Sequence, residues 1–168
     1  MRIYLLGFMG CGKSSLGRRL AKKLDFDFFD IDHGIEEKAG MKVPEIFIAM
    51  GESGFRELEK TVLHETATLK NTVIATGGGT PCHDNNMDFI LENGTSVYIR
   101  MSPVSLADRL ESSSKVRPLV QNLSGNDLLA EIEQRLKKRE EYYLRANCIV
   151  KGESVKPKHI IDLVFGHM

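Results

Sequence analysis

Residues 7–14 read GFMGCGKS and form the motif with the clearest chemistry in this chain. Two glycines flank four residues and are followed by Lys13 and Ser14, which is the pattern of a phosphate-binding P-loop. In such a loop the backbone N–H groups and the N-terminus of the next helix surround the phosphates of a nucleotide. We expect Lys13 to reach the β- and γ-phosphates and the Ser14 hydroxyl to bind Mg²⁺.

Two aspartates follow a second apolar segment, in the sequence FDID. If the segment stays extended, Asp30 and Asp32 lie at alternate positions and their side chains point the same way. Beside a magnesium nucleotide they could organise metal-bound water or accept a proton from a substrate hydroxyl. The alternative is a solvated strand end at which Asp32 caps the next helix. Spacing alone does not decide between the two interpretations.

Residues 76–80 read TGGGT, directly after a third apolar segment. Three consecutive glycines favour a close approach of a ligand to the backbone, which would present free N–H groups to it. The alternative is a tight turn between a strand and a helix. We assign no function to Thr80.

Arginine residues occur at three positions where they could bind an anion. Arg56 and Glu59 are three residues apart on a predicted helix and can pair, although spacing alone favours an ordinary exposed ion pair. Arg139 interrupts the apolar stripe of the longest predicted helix, so it either extends to the surface or points into a site for a carboxylate or phosphate. Arg117 lies in the irregular segment 111–125, which is typical of a lid. From there it could stabilise charge on a transferring phosphoryl group, or be a solvated loop charge.

Short apolar strands alternate with helical patterns along nearly the whole chain. The predicted strands are residues 3–6, 27–30, 72–75, 96–99 and 148–150, and the clearest helices are residues 13–24, 55–69 and 128–146. We expect Ser53 to cap the second of these helices. The alternation predicts an α/β, P-loop nucleotide-binding fold, with a five-stranded parallel sheet and helices on both faces. Ligands of such sheets bind outside the carboxyl ends of the strands, where the motifs above begin.

Composition limits the class of protein. The 168 residues, 42% hydrophobic and 27% charged, fit one globular domain. Lys plus Arg equals Asp plus Glu at 23 each, so we expect neither nucleic acid nor an acidic membrane as a partner. We expect no membrane-spanning segment and no cleaved leader, because the first strand begins almost at residue 1. Cys11, Cys82 and Cys148 have no metal-ligand spacing, which favours a cytoplasmic location.

In this order, the motifs resemble those of the shikimate kinase family over nearly the whole chain. The resemblance is carried by GFMGCGKS at 7–14, Asp30 and Asp32, EIF at 45–47 with Gly51 and Glu52, Phe55, Arg56 and Glu59, TGGG at 76–79, RPL at 117–119, and Arg139 with Tyr142 and Tyr143. It implies a fold like that of the nucleoside monophosphate kinases, with a lid. It also implies ATP-dependent phosphorylation of the 3-hydroxyl of shikimate, a step toward chorismate and the aromatic amino acids.

On the nucleotide side, the resemblance implies that the loop and the start of the next helix bind the ATP phosphates. The implied residues are Gly10, Cys11, Gly12, Lys13, Ser14 and Ser15. Ser14 would bind Mg²⁺, which Asp30 would contact through water. Arg117 would reach the phosphates when the lid, about residues 111–125, closes.

On the substrate side, the resemblance implies a shikimate-binding region at about residues 32–60. Arg56 and Arg139 would bind the shikimate carboxylate, and Gly78 would donate its backbone N–H to a hydroxyl. Asp32 would bind the hydroxyls and orient or deprotonate the attacking one. Glu59 would hold Arg56. The implied catalytic residues are Lys13, Asp32 and Arg117, in a single domain of residues 1–168 that acts as a monomer.

Cys11 departs from the family, which usually has a smaller residue such as Ser or Ala at that position. We hypothesise that its thiol is sensitive to oxidation or alkylation and is protected by bound nucleotide. Two other functions fit a P-loop: a different small kinase, such as a gluconate or nucleoside monophosphate kinase, and a non-catalytic nucleotide-binding partner. The triple glycine and the helix with Arg56 and Glu59 argue against the first. The intact set of charged residues argues against the second.

Overall fold

The structure is a computed structural model that describes residues 1–166, which contain five strands and seven α-helices. The strands are β1 (Arg2–Leu6), β2 (Asp27–Asp30), β3 (Thr72–Ala75), β4 (Thr95–Arg100) and β5 (Cys148–Lys151). The helices are α1 (Lys13–Leu24), α2 (Ile31–Ala39), α3 (Val43–Glu65), α4 (Asn86–Asn93), α5 (Pro103–Ser112), α6 (Gly125–Tyr143) and α7 (Pro157–Phe165), and two 3₁₀ helices cover Thr66–Thr68 and Thr80–Cys82. The five predicted strands and the helix over residues 13–24 are confirmed.

The five strands form one parallel sheet in the order β2-β3-β1-β4-β5. Because β1, β2 and β3 are neighbours, their carboxyl ends meet at one edge of the sheet. The connection from β1 to β2 crosses the sheet in one direction and the connection from β3 to β4 in the other. Since parallel crossovers are right-handed, α1 and α4 lie on opposite faces. The predicted sheet with helices on both faces is confirmed.

The central strand is the most deeply buried part of the fold. Ile3, Tyr4, Leu5 and Leu6 are all 0% exposed, as expected of a parallel strand covered on both faces. Their side chains join one continuous apolar cluster that also includes residues of the flanking helices. The loops at the carboxyl end of the sheet therefore start from a rigid base.

The helix predicted over residues 55–69 is longer than the sequence suggested and begins earlier. The α3 helix runs over Val43–Glu65 and is broken only at Gly51, whose φ of 69° is left-handed. Ser53 lies inside the helical stretch that follows, so its prediction as an N-cap was wrong. The left-handed angle at Gly51 divides α3 into two helical stretches, so the sequence signal for a new helix start was correct to within a few residues, although Ser53 is not its cap.

The longest predicted helix was correct in type but shifted. The α6 helix covers Gly125–Tyr143 instead of residues 128–146, and Leu144 is its C-cap. The segment between α5 and α6 is thus residues 113–124, slightly shorter than the predicted 111–125. No helix within residues 1–166 is long and apolar enough to cross a membrane.

Candidate active site

A cavity of about 960 Å³ opens at the carboxyl ends of β1, β2 and β3. Its walls come from the P-loop, the starts of α1 and α2, the residues after β3, one side of α3, the segment between α5 and α6, and Arg139 of α6. All but one of the predicted site residues line it. They are Gly10, Gly12, Lys13, Ser14, Ser15, Asp30, Asp32, Arg56, Gly78, Arg117 and Arg139.

The P-loop wraps around the side chain of its own lysine. Gly10 and Gly12 have φ angles of 83° and 92°, which are strained for residues with a Cβ, and α1 begins directly after them. Lys13 is 8% exposed, and its Nζ donates to the carbonyl oxygens of Gly7 at 2.7 Å and Phe8 at 3.1 Å. These bonds keep one ammonium group at the N-terminus of α1, where the helix dipole also favours an anion.

Cys11 is the one predicted nucleotide-binding residue that does not line the cavity. Its thiol is 3% exposed and belongs to the apolar cluster, and its backbone N–H donates to the carbonyl of Phe8 at 3.2 Å. The predicted phosphate contact therefore has no free donor at this residue. Burial also removes the access that an alkylating reagent needs, so the hypothesis of a reactive thiol protected by nucleotide is not supported.

Ser14 and Asp30 lie together beside the P-loop. The Ser14 hydroxyl donates to Asp30 Oδ2 at 2.6 Å. Asp30 is also the N-cap of α2, since its Oδ1 accepts from the backbone N–H groups of Asp32 at 3.0 Å and His33 at 3.4 Å. The alternative in which Asp32 caps this helix was wrong, because Asp30 is the cap. Both oxygens of Asp30 are thereby fixed in direction.

Asp32 sits in the first turn of α2 rather than on an extended segment. Its side chain is 28% exposed, and that exposed surface faces the cavity. Burial raises the pKa of its carboxyl above the ordinary value, with a smaller rise from Asp30, and Lys115, Lys13 and Arg117 oppose both effects. Lys115 Nζ lies 3.9 Å from Asp32 Oδ2. An aspartate with a raised pKa among cations suits proton transfer or alignment of a hydroxyl.

Arg56 forms a buried ion pair rather than the exposed one that spacing favoured. It is 7% exposed and Glu59 is 1% exposed, and Arg56 Nη1 donates to Glu59 Oε1 at 2.8 Å. Arg56 Nη2 donates to Glu52 Oε1 at 3.3 Å, on the more exposed side of the helix. Within residues 1–166, Nε of Arg56 is buried without a hydrogen-bond partner.

Arg139 points into the site rather than to the protein surface. It is 7% exposed, its guanidinium carbon lies 5.4 Å from the centre of the Phe8 ring, and it lines the cavity. Within the described chain its Nη1 is buried without a hydrogen-bond partner. A buried cation with an unused donor is costly unless an anion joins it, so this geometry favours a carboxylate or phosphate ligand.

The triple glycine gives the two arginines room. None of its members has a left-handed φ, so the reason for glycine is space. A Cβ atom on Gly79 would lie 2.6 Å from Arg56 Nη2, and one on Gly78 would lie 3.1 Å from Arg139 Nη1. The two guanidinium groups therefore approach successive residues of one backbone segment. Both arginines line the same cavity.

The segment between α5 and α6 covers part of the cavity. Its ends are tied together, because the backbone N–H of Gly125 donates to Glu111 Oε1 at 2.7 Å. Val120 is 7% exposed and anchors the segment to the core. Arg117 lines the cavity, and burial lowers the pKa of its guanidinium while Asp32 opposes that effect. Arg117 of this segment thus faces Asp32.

Two residues near the site were missed by reasoning from the sequence. Thr80, to which no function was assigned, donates its hydroxyl to Glu59 at 2.8 Å. Lys115 reaches Asp32 from the segment that covers the cavity. The only signals were a polar residue after three glycines and a second cation two residues before Arg117. Neither signal indicates which side chain the residue contacts.

Comparison with known proteins agrees with this geometry. The family model described as "SKI: Shikimate kinase" matches residues 9–167. The curated shikimate kinase of Bacteroides thetaiotaomicron is 40% identical over 162 residues, which are 96% of this chain and 93% of that protein.

Solved structures give the same result. A crystal structure of shikimate kinase from Bacteroides thetaiotaomicron has a TM-score of 0.92 at 38% identity and covers 98% of each chain. Shikimate kinase from Acinetobacter baumannii, solved in complex with shikimate, has a TM-score of 0.91 at 34% identity and covers 99% of this chain and 93% of that one. A gluconokinase from Sinorhizobium meliloti has a TM-score of 0.61 at 15% identity, covers 98% of this chain and 89% of that one, and shares the fold alone. The family model and these relatives cover nearly the whole chain, and the chain belongs to the shikimate kinase family.

Proposed function

We propose that the cavity carries out the reaction of this family with the residues described above. In that reaction ATP phosphorylates the 3-hydroxyl of shikimate and gives shikimate 3-phosphate and ADP, a step in chorismate and aromatic amino acid biosynthesis. One observation carries the residue assignment: two buried arginines, each with an unused donor, share a cavity with an aspartate and a P-loop. The Acinetobacter relative, solved in complex with shikimate, supports the choice of substrate.

The shikimate carboxylate binds between Arg56 and Arg139. Within residues 1–166, Nε of Arg56 and Nη1 of Arg139 are buried donors without a partner, and both arginines line the cavity in which it binds. The two guanidinium groups lie against Gly79 and Gly78, so a planar carboxylate can contact both. The backbone N–H of Gly78 donates to a substrate hydroxyl. These contacts fix the ring and leave its reacting hydroxyl beside Asp32.

Asp32 aligns the reacting hydroxyl and accepts its proton. Because burial raises the pKa of the Asp32 carboxyl, the carboxylate is a better proton acceptor than an exposed aspartate. Lys115 and Arg117 keep it ionised by lowering that pKa. Phosphoryl transfer otherwise depends on position and on charge stabilisation, which Lys13 and Arg117 provide at the phosphates.

The residues beside the P-loop fit a magnesium ion. Ser14 and Asp30 present a hydroxyl and a carboxylate 2.6 Å apart, and Mg²⁺ prefers such oxygen ligands. Within residues 1–166 no group of three or more His, Cys, Asp or Glu side chains could hold a metal. A P-loop site needs no such group, because phosphate oxygens and water complete the coordination. When bound, the ion would neutralise charge on the phosphates, with Ser14 as a ligand and Asp30 in contact through water.

The segment 113–124 acts as the lid. It carries Lys115 and Arg117 over the cavity and is anchored at its two ends, at Val120, and at Leu119, whose carbonyl accepts from Arg135 Nη2 at 3.5 Å. Closure excludes water from the phosphates and limits ATP hydrolysis when no acceptor is bound. We propose that the protein works as a monomer and that it acts in the cytoplasm, where its three free cysteines stay reduced.

The decisive experiment measures ADP release by purified protein with MgATP, with and without shikimate. We expect release to depend strongly on shikimate, and not on gluconate or a nucleoside monophosphate. Lys13→Ala serves as the inactive control, and it should lose turnover while keeping its circular dichroism spectrum. Release that ignores shikimate contradicts the proposed acceptor. Release by Lys13→Ala at the wild-type rate contradicts the proposed P-loop chemistry.

A further inference from the structure

The Thr80 hydroxyl is buried and takes part in none of the steps above. Thr80 is 0% exposed and directly follows the three glycines at the end of β3. Its Oγ1 lies 2.8 Å from Glu59 Oε2. Since an ionised carboxylate only accepts hydrogen bonds, the hydroxyl is the donor. The side chain of Thr80 therefore uses its one polar hydrogen on a carboxylate that itself contacts Arg56.

Thr80 and Arg56 hold the two oxygens of the same carboxylate. Glu59 Oε1 accepts from Arg56 Nη1 at 2.8 Å, and Oε2 accepts from Thr80. With both oxygens fixed, the carboxylate plane cannot rotate about its terminal bond. A fixed carboxylate holds the guanidinium of Arg56 in one orientation on the wall of the cavity.

The backbone of Thr80 is held as firmly as its side chain. Asn86 Nδ2 donates to the Thr80 carbonyl at 2.9 Å, and the Thr80 N–H donates to the Gly77 carbonyl at 3.2 Å. The hydroxyl thus sits on a short 3₁₀ helix that cannot move away from Glu59 without breaking other bonds. The contact links the end of β3 to the middle of α3.

Thr80 also stands where two carboxylates come close. A Cβ atom on Gly77 would lie 2.9 Å from Thr80 Oγ1, 3.1 Å from Glu59 Oε2 and 3.2 Å from Asp32 Oδ1. Burial raises the pKa of the Glu59 carboxyl and so does Asp32 from α2, while Arg56 and the Thr80 hydrogen bond lower it. The hydroxyl therefore helps to keep Glu59 ionised beside a second acid.

We propose that Thr80 is a positioning residue for shikimate binding, which holds Glu59 so that Glu59 holds Arg56 at the substrate carboxylate. The inference rests on the proposed function of the cavity, and it adds a residue from the end of β3 to the carboxylate site.

Three substitutions of Thr80 and one control substitution test the role of the Thr80 hydroxyl. Thr80→Val keeps the shape and removes the donor, while Thr80→Ser keeps the donor and removes a methyl group. Thr80→Ala differs from Thr80→Ser only by the hydroxyl and replaces Thr80→Val if that variant fails to fold. Thr66→Val is the matched control, because Thr66 is also a buried threonine with a bonded hydroxyl but contacts Tyr4 and Leu63.

We expect Thr80→Val and Thr80→Ala to raise the KM for shikimate about tenfold, since a hydrogen bond to a charged group is lost. The KM for ATP should stay unchanged, and Thr80→Ser should restore shikimate binding. Without the hydroxyl the pKa of Glu59 rises further, so the pH below which kcat/KM for shikimate falls should move upward. Thr66→Val should alter thermal stability alone.

The inference is wrong if Thr80→Ala matches Thr80→Ser in the KM for shikimate and in pH profile, or if both shift the two substrates equally. It is also wrong if Thr66→Val changes the KM for shikimate as much as Thr80→Val does. Failure of the underlying function gives a different result: the wild-type protein then shows no shikimate-dependent ADP release.

Discussion

Arg139 offers the sharpest test of the carboxylate site, because binding and stability should change in opposite directions. Substituting Arg139→Met keeps the length and apolar stem of a side chain that is 7% exposed and removes its charge. The remaining cation, Arg56, already contacts two carboxylates, Glu59 and Glu52. The variant therefore leaves little uncompensated positive charge for the shikimate carboxylate.

The expected loss of binding is large. Removing one partner of a buried, hydrogen-bonded charge pair costs about 2–5 kcal/mol. At about 1.4 kcal/mol for each factor of ten, this corresponds to about 30-fold to about 4,000-fold in kcat/KM for shikimate. We expect a loss of at least about 100-fold, because Arg56 is already paired. The KM for ATP should change by less than about twofold, since the P-loop is untouched.

The expected effect on stability has the opposite sign. In the described chain Nη1 of Arg139 is buried without a partner, so the protein holds a cation whose hydration is not replaced by hydrogen bonds. An apolar side chain of similar length removes that cost and should stabilise the protein by about 1 kcal/mol. For a chain of this size, the change corresponds to a rise of about 3 °C in Tm.

The assay couples ADP release to a spectrophotometric signal at saturating MgATP and varied shikimate, and calorimetry supplies Tm. Lys138→Met is the matched control, because it removes the same charge from the neighbouring, exposed position on α6 and should change neither quantity. A variant Arg139→Met that keeps kcat/KM for shikimate within about threefold of wild type refutes the proposed contact. Equal losses for ATP and shikimate, with a lower Tm, would indicate a structural role instead.

The same assay tests the cation of the lid and the oxygen ligands of the metal. Lys115 lowers the pKa of Asp32, so Lys115→Met should raise that pKa and move the acid limb of kcat/KM to higher pH; superimposable profiles would contradict the contact. Ser14→Ala removes the hydroxyl that lies 2.6 Å from Asp30 and should raise the Mg²⁺ concentration for half-maximal rate by about tenfold. An unchanged Mg²⁺ dependence would remove Ser14 from the metal site.

The sheet was predictable because its strands are short, apolar and separated by clear helical patterns. A strand that is buried on both faces is mostly apolar along its whole length. The apolar runs of β1 and β3 therefore predict strands without any tertiary information. The start of α1 was predictable for a different reason, since the glycines of the P-loop can adopt the left-handed angles that residues with a Cβ avoid. Local chemistry was sufficient in both cases.

The direction of Asp32 was not predictable from alternation along a strand. Strand β2 ends at Asp30, and the capping of α2 by Asp30 turns the chain before Asp32. Asp32 still faces the cavity because it lies in the first turn of a helix that starts at the edge of the sheet. Asp30 and Asp32 do line the same cavity, but not because they occupy alternate positions of an extended segment.

Spacing also misjudged the ion pair of Arg56 and Glu59, and the cause lies outside α3. An exposed pair three residues apart on a helix contributes a few tenths of a kcal/mol, and the sequence of α3 gives no sign of anything stronger. The end of β3 buries the pair, because Gly79 lets the guanidinium lie against the backbone and Thr80 donates to the free oxygen of Glu59. Neither contact is encoded in the spacing of α3. The sequence suggested a ligand site at the three glycines and a surface charge at Arg56, and the two are parts of one arrangement. The glycines have no side chains, and this leaves room beside them for the buried guanidinium of Arg56.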